Sequence, residues 1–459
     1  MAYLFSSDFK FRTWRRLWIA LAEAEKELGL PITDQQIAEL RAHANDINYE
    51  EAEKREREIR HDVMSHIYAY GLQAPAAKGI IHLGATSAYV TDNTDILQMA
   101  EALAMIKRRI VNLIAKLRDF ARKWQATPQL AFTHFQPAQL TTVGKRATLW
   151  LHDLLLDLIE IEFRESQLAL LGVKGATGTQ ASFLNLFEGD ESKVQRLEQL
   201  VARKLGVQRV YPVSGQTYSR KVDAQVVGAL SGFAQSASKF AYDMRLLQHL
   251  HEIEEPFEEE QVGSSAMAFK RNPMRAERID ALARYLMIDA LNPAFTAATQ
   301  WFERTLDDSA NRRIAIPEAF LAADAIALIY DNIVAGIVVH EDVIAANVRR
   351  ELPFLMTENL MMEGVRRGGD RQVLHERVRI HSQAAADALK SGATENDLFG
   401  RISADPLFGI DRPTMTKMAR PAEYTGLARQ QTEHFLTDVD KVLVNYGSDI
   451  TSQPAEVRV

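Results

Sequence analysis

The stretch GSSAMAFKRNPMRAER, residues 263–278, places hydroxyl groups and cations close together in a chain that is otherwise patterned as helices. Gly263 and the adjacent Ser264 and Ser265 begin it, and four cations follow within nine residues: Lys270, Arg271, Arg275 and Arg278. Loops with this chemistry often bind ligands, and the planar guanidinium of arginine suits a carboxylate. We therefore expect this loop to fold over an acidic substrate.

The chemistry that fits these residues is removal of a proton from a carbon next to a carboxylate. Lys270 and Asn272 could stabilise the negative charge that develops on that carboxylate. A serine can be the base only as an alkoxide, which requires backbone N–H groups and a nearby cation where water is excluded. The residue types leave open whether Ser264 or Ser265 has this role. A separate acid must protonate the leaving group, and a histidine suits that task.

Five further polar stretches interrupt the helical pattern at 58–66, 82–87, 132–142, 214–221 and 301–313. The side chains they offer are His61, Asp62, Thr86, Ser87, Thr133, His134, Gln216, Arg304, Ser309 and Arg313. Each has a simple structural explanation when taken alone. His134 could be a buried imidazole with its hydrogen bonds satisfied, Thr86 and Ser87 could cap a helix, and the arginines could be ion-paired at the surface.

Taken together, these stretches suggest an anion site. Each lies at the end of a long predicted helix, and helix N-termini carry unsatisfied N–H groups and a partial positive charge. A substrate with several carboxylates or phosphates would satisfy many such turns at once.

Two other kinds of site are disfavoured. The glycine-rich GVKGATGTQ (172–180) and the short VGKR (143–146) lack the spacing of nucleotide-binding loops, so we interpret both as turns. The histidine pairs His61/His66 and His249/His251 lack the spacing of zinc hydrolases. The acidic run 251–261 is interpreted as a solvated helix end. We expect no metal and no cofactor.

Long helices must position these residues. Apolar periodicity predicts helices over 92–124, 140–171 and 223–255, and a fourth that follows Pro317 towards Val348. Residues 224–242 are rich in Ala, Gly and Ser, which lets helix backbones approach closely. We expect an all-α bundle that completes its core by pairing with copies of itself. Strand signals are scarce, with one short extended piece expected within 207–218.

Composition narrows the class of protein. The 459 residues carry a net charge of −7, which disfavours a nucleic-acid partner, and no cysteine, which excludes disulfides and thiolate chemistry. No uninterrupted apolar run approaches the length of a membrane span, and the first 30 residues read as an amphipathic helix rather than a signal peptide. We expect a cytoplasmic protein that contacts neither membrane nor nucleic acid.

The loop GSSAMAFKRNP resembles the signature loop of the fumarase/aspartase superfamily, whose members eliminate fumarate from succinyl compounds. HLGATS and THFQPAQLTTVGKR are similar to two further regions of that superfamily. Four longer stretches resemble the branch that acts on succinylated purine nucleotides, of the type found in animals: KFRTWRRLWIALAEAEKELGLPIT, GVKGATGTQASFLNLFEGD, QWFERTLDDSANRRI and ELPFLMTEN. The resemblance covers nearly the whole chain. Other branches, acting on argininosuccinate or fumarate, and a non-catalytic homologue remain the alternatives.

The resemblance implies an all-α subunit of three domains, which we expect at 1–86, 87–340 and 341–459, in a homotetramer whose active sites each combine three subunits. It implies that His134 is the general acid and Ser264 the general base, acting on small-molecule nucleotide substrates. The residues implied to bind substrate are His61, Asp62, Thr86, Ser87, Thr133, Gln216, Lys270, Asn272, Arg278, Arg304, Ser309 and Arg313.

Two departures from the family pattern are visible. Ala268 stands where the signature loop usually has proline, so we expect the loop to be less restrained when open. Family members also carry an Arg-Tyr pair upstream of the segment that resembles FSSDFKFRTW. Without it, we expect phosphate binding to rest more on Arg304, Ser309 and Arg313.

Overall fold

The computed structural model describes residues 1–258 and 260–451. Helices dominate this part of the chain, as the sequence predicts. It divides into two compact units, each built from three separate stretches. Unit 1 comprises Met1–Ile110, Asp157–Ala237 and Ala281–Ala327, and unit 2 comprises Val111–Leu156, Ser238–Asp280 and Leu328–Val459.

Unit 1 begins with four helices that have polar caps. They are α1 (Ser7–Glu27), α2 (Asp34–Ala42), α3 (Tyr49–Ile59) and α4 (Asp62–Gln73). The side chains of Ser6, Thr33, Asn48 and His61 each accept a backbone N–H of the first turn that follows. Such caps satisfy amide groups that a helix start leaves without partners, and so they fix where each helix begins.

Four long helices overlap the four predicted ones, and three of them begin and end within six residues of the predicted bounds. They are α5 (Ser87–Lys123), α6 (Val143–Gln167), α9 (Lys221–His249) and α12 (Asp308–Gly336). The fourth prediction was wrong in position, because α12 begins nine residues before Pro317 and contains it. A proline inside a helix removes one hydrogen bond and crowds the carbonyl of residue i−4, at a cost of about 3 kcal/mol that packing of the rest of the helix must offset. In α12, Phe320 and Tyr330 are fully buried.

Shorter helices complete the chain. Those before α12 are α7 (Ala181–Leu186), α8 (Glu191–Lys204), α10 (Met274–Asp289) and α11 (Leu291–Thr299). Those after it are α13 (Glu341–Leu355), α14 (Thr357–Arg366), α15 (Arg371–Lys390), α16 (Leu398–Ala404), α17 (Arg412–Met418) and α18 (Ala428–Leu443). Short 3-10 turns lie at Ala2–Phe5, Pro421–Tyr424 and Val444–Tyr446.

The strands form two small antiparallel pairs. β1 (Pro128–Thr133) pairs with β2 (Gln136–Thr142), and β3 (Ile253–Glu254) pairs with β4 (Val338–Val339). The sequence predicted only a polar interruption of the helical pattern, at 132–142, where the first hairpin lies. Its two-residue turn is made by His134 and Phe135, which both have positive φ, and neither residue type signals such a turn. The extended piece expected within 207–218 is a single parallel bridge from Val210 to Leu170.

Each unit has an aromatic core. In unit 1, Trp14 and Trp18 of α1 are buried beside Tyr70 of α4. In unit 2, the rings of Phe240 and Tyr330 stack with centroids 4.0 Å apart. Helix α12 is long and apolar enough to cross a membrane by length and composition alone, but 67% of its most apolar window is buried, as in the core helix of a soluble protein.

Candidate active site

A cavity of about 770 Å³ in unit 1 is lined by the first residues of four helices. Ser6 and Ser7 come from the start of α1, His61 and Asp62 from α4, Ser87 from α5, and Ser309 from α12. A helix start presents N–H groups and partial positive charge, so four of them around one cavity favour an anionic ligand. The anion site expected from the sequence remains a prediction, and this cavity is where those helix starts would form it.

Seven of the predicted substrate-binding residues line this cavity: His61, Asp62, Ser87, Gln216, Arg304, Ser309 and Arg313. Thr86 directly precedes Ser87, but it is not among the residues that line the cavity; its carbonyl accepts the N–H of Tyr89. Residues from 61 to 313 thus meet in one place within unit 1.

A network of ion pairs forms part of the cavity wall and joins α5 to α12. Arg220 contacts Asp92 of α5 at 2.9 Å and Asp308 of α12 at 2.7 Å. Burial lowers the pKa of Arg220, but Asp92, Tyr218 and Asp223 together raise it by more, so this pKa lies above its usual value. Arg304 also pairs with Asp308, at 2.9 Å. The ion-paired explanation for Arg304 therefore describes its contact in this structure, and an anionic ligand would have to compete with Asp308 for it.

A third arginine extends this network. Arg312 contacts Asp223 at 2.6 Å and Asp95 at 2.9 Å, and Tyr218 donates to Asp223 at 2.6 Å. Burial raises the pKa of Asp95 above its usual range, although Arg312 opposes this shift. Three arginines that line the cavity are thus paired with carboxylates of unit 1: Arg220, Arg304 and Arg312.

His61 is held in one orientation by its role as a helix cap. Its Nδ1 atom accepts the backbone N–H of Met64 at 3.3 Å. In the neutral imidazole the proton is then carried by Nε2, which remains available as a donor. The neighbouring Asp62 lies 4.0 Å from the guanidinium of Arg313.

Gln216 is positioned by close contacts between three loops of unit 1. Its backbone N–H donates to the carbonyl of Glu303, and its side-chain amide donates to the carbonyl of Ala176. Gly178, in the predicted turn 172–180, approaches the Ser214 carbonyl so closely that no Cβ would fit. The glycines of this segment serve loop packing, in agreement with its interpretation as a turn.

In unit 2, Thr133 and His134 occupy the exposed tip of the β1–β2 hairpin. The backbone of His134 has φ 52°, in the left-handed region that side chains of this kind seldom adopt. Strained turns of this sort are often found where a side chain must be presented for function. The buried-imidazole explanation for His134 was wrong, because its side chain is exposed.

The loop 263–273 of unit 2 is closed on itself. The Asn272 side chain donates to the Gly263 carbonyl at 2.9 Å, and a Cβ at position 263 would collide with the Lys270 carbonyl. Within the loop, the Ser264 hydroxyl oxygen accepts the backbone N–H groups of Ala266 and Met267, at 3.3 and 3.1 Å. Two N–H donors are the groups that an alkoxide at this oxygen would need.

The acidic run before this loop is not a solvated helix end, so that interpretation was wrong. Glu252 and Glu255 are buried. Glu255 accepts the backbone N–H groups of Arg275 and Ala276 at the start of α10, and burial raises its pKa.

Side chains of the same run pair with two of the four cations of the loop region. Arg275 pairs with Glu258 at 2.6 Å, and Arg271 pairs with Glu254 at 3.3 Å. Lys270 and Arg278 are exposed and have no carboxylate within 4.0 Å in the described parts of the chain. These two cations are therefore the ones available to a substrate.

The predicted residues thus fall into separate groups. Within residues 1–258 and 260–451, no hydrogen bond joins the hairpin tip to the loop 263–273. Arg278 lies further along, on the exposed side of α10.

Comparison with known proteins shows which family the chain belongs to. A family model described as "Lyase" matches residues 4–287, and one described as "Adenylosuccinate lyase C-terminus" matches residues 353–435. The adenylosuccinate lyases of Schizosaccharomyces pombe and Saccharomyces cerevisiae are each 48% identical to this chain, over 100% of it and 96% of their own length. That of Schistosoma mansoni is 44% identical over 96% of this chain and 93% of its own length.

The chain belongs to the adenylosuccinate lyase family. It is therefore a lyase, and the resemblance to the fumarase/aspartase superfamily is confirmed. Among solved structures, it is similar to a fumarate lyase from Mesorhizobium sp. BNC1, with a TM-score of 0.81 and 24% identity over 95% of this chain and 97% of that one. It also resembles the 3-carboxy-cis,cis-muconate lactonizing enzyme of Pseudomonas putida, with a TM-score of 0.84 and 22% identity over 96% of each chain. At these identities the likeness supports the fold alone.

Several residues of this adenylosuccinate lyase family member were missed by sequence reasoning. Ser6, Ser7 and Lys10 line the cavity, yet the segment containing them was interpreted only as an amphipathic helix. A signal was present, because Lys10 interrupts the apolar face of that segment. Glu252 was missed because an acidic run usually indicates solvent exposure.

The described residues contain no group of three His, Asp or Glu side chains arranged to hold a metal ion. The expectation that this family member works without metal or cofactor remains a prediction.

Proposed function

We propose that the chain eliminates fumarate from adenylosuccinate to give AMP. We further propose that it performs the same elimination on succinyl-aminoimidazole-carboxamide ribotide, in purine biosynthesis. The observation that carries this proposal is the 48% identity to two curated adenylosuccinate lyases across the whole chain. The cavity of unit 1, with four helix starts around it, suits the phosphate and polar groups of such a nucleotide.

In the proposed reaction, Ser264 acts as an alkoxide and removes a proton from the succinyl carbon next to a carboxylate. The C–N bond then breaks, its electron pair passes to nitrogen, and His134 supplies a proton to that nitrogen. The two N–H groups that Ser264 accepts would stabilise its charged form, which supports Ser264 over Ser265 as the base. Fumarate and the amine leave, and proton exchange with solvent restores both side chains.

The remaining residues would bind the two ends of the substrate. Lys270, Asn272 and Arg278 would bind the succinyl group, together with Thr133, Thr86 and Ser87. Charge that develops on the carboxylate in the transition state is best stabilised by fixed donors, and Asn272 is fixed by its bond to Gly263. His61, Asp62, Gln216, Arg304, Ser309 and Arg313 would bind the nucleotide.

We also propose that the protein is a cytoplasmic homotetramer with three domains per subunit, at 1–86, 87–340 and 341–459. Helix α6 supports assembly with further copies of the chain. Its residues Leu149, Leu156, Ile159 and Phe163 share one face, and their side chains are between 48% and 64% exposed. An apolar face of this kind is usually covered by another helix. Three copies would then bring His134, Ser264 and the cavity of unit 1 into one site.

Turnover of adenylosuccinate tests the proposed reaction. Micromolar enzyme is mixed with adenylosuccinate, argininosuccinate or fumarate, and product formation is followed by chromatography and ultraviolet absorbance. We expect AMP and fumarate from the first substrate only. Absence of turnover with all three would contradict the proposal in favour of a non-catalytic homologue, and turnover of argininosuccinate or fumarate instead would select another branch of the superfamily.

A further inference from the structure

The surroundings of Lys10 indicate that it binds a ligand, a role that the family resemblance does not assign to it. It lies in the first turn of α1 and lines the same cavity of unit 1 as Ser309 and Arg313. Its ammonium nitrogen lies 5.0 Å from the ring centroid of Trp14 and 5.3 Å from that of Phe11. Contacts with aromatic rings hold a lysine in place without neutralising its charge.

Lys10 has no counterion of its own. In the part of the chain that the structure describes, no carboxylate oxygen lies within 4.0 Å of its nitrogen, whereas Arg304 and Arg312 are paired. Burial lowers the pKa of Lys10, and the positive charge of Arg313 lowers it further. Asp62, Asp95 and Glu56 act in the opposite direction without reversing the shift. Two cations therefore face one cavity: Lys10 has no paired carboxylate in the described residues, and Arg313 has only Asp62, at 4.0 Å.

We propose that Lys10, together with Arg313, binds the 5′-phosphate of the nucleotide. This inference rests on the proposed function, which places a nucleotide in the cavity. A phosphate carries close to two negative charges and three acceptor oxygens, so it matches two neighbouring cations better than a single carboxylate does. The Ser7 and Ser309 hydroxyls at the starts of α1 and α12 line the same cavity and could donate to the remaining oxygens.

The test compares ligands that differ only in the phosphate. Dissociation constants for AMP and adenosine are measured by calorimetry with wild-type protein and with Lys10→Met, which keeps an unbranched apolar side chain against Trp14. We expect Lys10→Met to bind AMP about tenfold to a hundredfold more weakly, as for the loss of a charge-assisted hydrogen bond, and to bind adenosine unchanged. Lys10→Arg should recover most of the AMP affinity. Lys26→Met, on the exposed part of α1, is the matched control and should change neither value.

Two results would overturn the inference. AMP affinity unchanged in Lys10→Met would show that Lys10 does not bind the phosphate, and equal loss of AMP and adenosine affinity would show a structural role only. Binding of inorganic phosphate is measured as well, because it tests the Lys10 site independently of the proposed reaction. If wild-type protein fails to turn over adenylosuccinate but binds inorganic phosphate more tightly than Lys10→Met does, the proposed reaction is contradicted while the proposed Lys10 site is supported.

Discussion

The two serines of the loop 263–273 have different surroundings, and this difference decides which can be ionised. Ser264 is half-buried and accepts two backbone N–H groups, whereas Ser265 is exposed. Hydrogen bonds to the charged form of a group lower its pKa, and water competes for the same role at an exposed hydroxyl. The sequence left this choice open because both residues have the same chemistry and are adjacent.

Replacing each serine separately tests that assignment. Ser264→Ala is expected to lower kcat for adenylosuccinate by a factor of about 10² or more, in line with the loss of a general base, with AMP affinity retained. Ser265→Ala is the matched control and should remain near wild type. Steady-state kinetics of both variants provide the comparison. The opposite ranking would transfer the role of base to Ser265.

Glu25 is a second residue whose surroundings govern its ionisation. Its side chain is fully buried in α1, and neither carboxyl oxygen has a hydrogen-bond partner in the described parts of the chain. Burial raises its pKa to about 9. The folded protein therefore keeps a proton on Glu25 that the unfolded chain would lose near pH 4.5.

This proton makes stability depend on pH. The contribution of neutral Glu25 is complete below about pH 4.5 and is lost as the pH rises to about 9, with a limiting slope of roughly 1.4 kcal/mol per pH unit. Glu25→Gln cannot ionise, so its melting temperature should fall less than that of wild type between pH 5 and 9. Thermal unfolding across this range measures the difference, with Glu27→Gln as an exposed control. Parallel curves for wild type and Glu25→Gln would contradict the account.

At the scale of elements, the hairpin that presents His134 depends on one buried glutamate. Glu252 accepts the side-chain amide of Gln129 in β1 at 2.6 Å and that of Asn347 in α13 at 2.9 Å. Its backbone carbonyl also accepts the N–H of His340. The base of the hairpin is therefore tied to α13 through a carboxylate that no water reaches.

Glu252→Gln should weaken this attachment. The new amide places an N–H group opposite one of the two amide donors, which leaves a buried donor unsatisfied and costs about 1–3 kcal/mol. We expect a lower urea midpoint and a reduced kcat, because His134 loses its fixed position. Glu260→Gln, an exposed member of the same acidic run, serves as the control. Unaltered stability and kcat in Glu252→Gln would show that the hairpin is held by its other contacts.

The elements also show what the sequence could predict. Long helices were predictable because apolar residues repeat along α5 and α9 with helical period. The hairpin was not, because a turn formed by His134 and Phe135 at positive φ goes against the usual preference of both residues. The beginning of α12 was misplaced because proline normally marks a helix start, whereas Pro317 lies inside.

At the scale of the whole molecule, the candidate site residues are divided between the two units. The cavity proposed to bind the nucleotide belongs to unit 1, and the hairpin tip and the loop 263–273 belong to unit 2. The sequence suggested these residues through the family resemblance, but spacing along one chain carries no information about which copy supplies each group. We propose that the acid His134 and the base Ser264 of one active site come from different copies of the chain.

Mixing two inactive variants tests this claim most directly. His134→Gln and Ser264→Ala are purified separately, mixed in equal amounts, dissociated gently and reassembled, and fumarate release from adenylosuccinate is measured. If each site takes His134 from one copy and Ser264 from another, random assembly leaves about a quarter of the sites with both groups intact, so activity should return to roughly that fraction of wild type. If mixtures whose hybrid assembly is verified by native mass spectrometry stay as inactive as the separate variants, one copy supplies both groups and the account is contradicted.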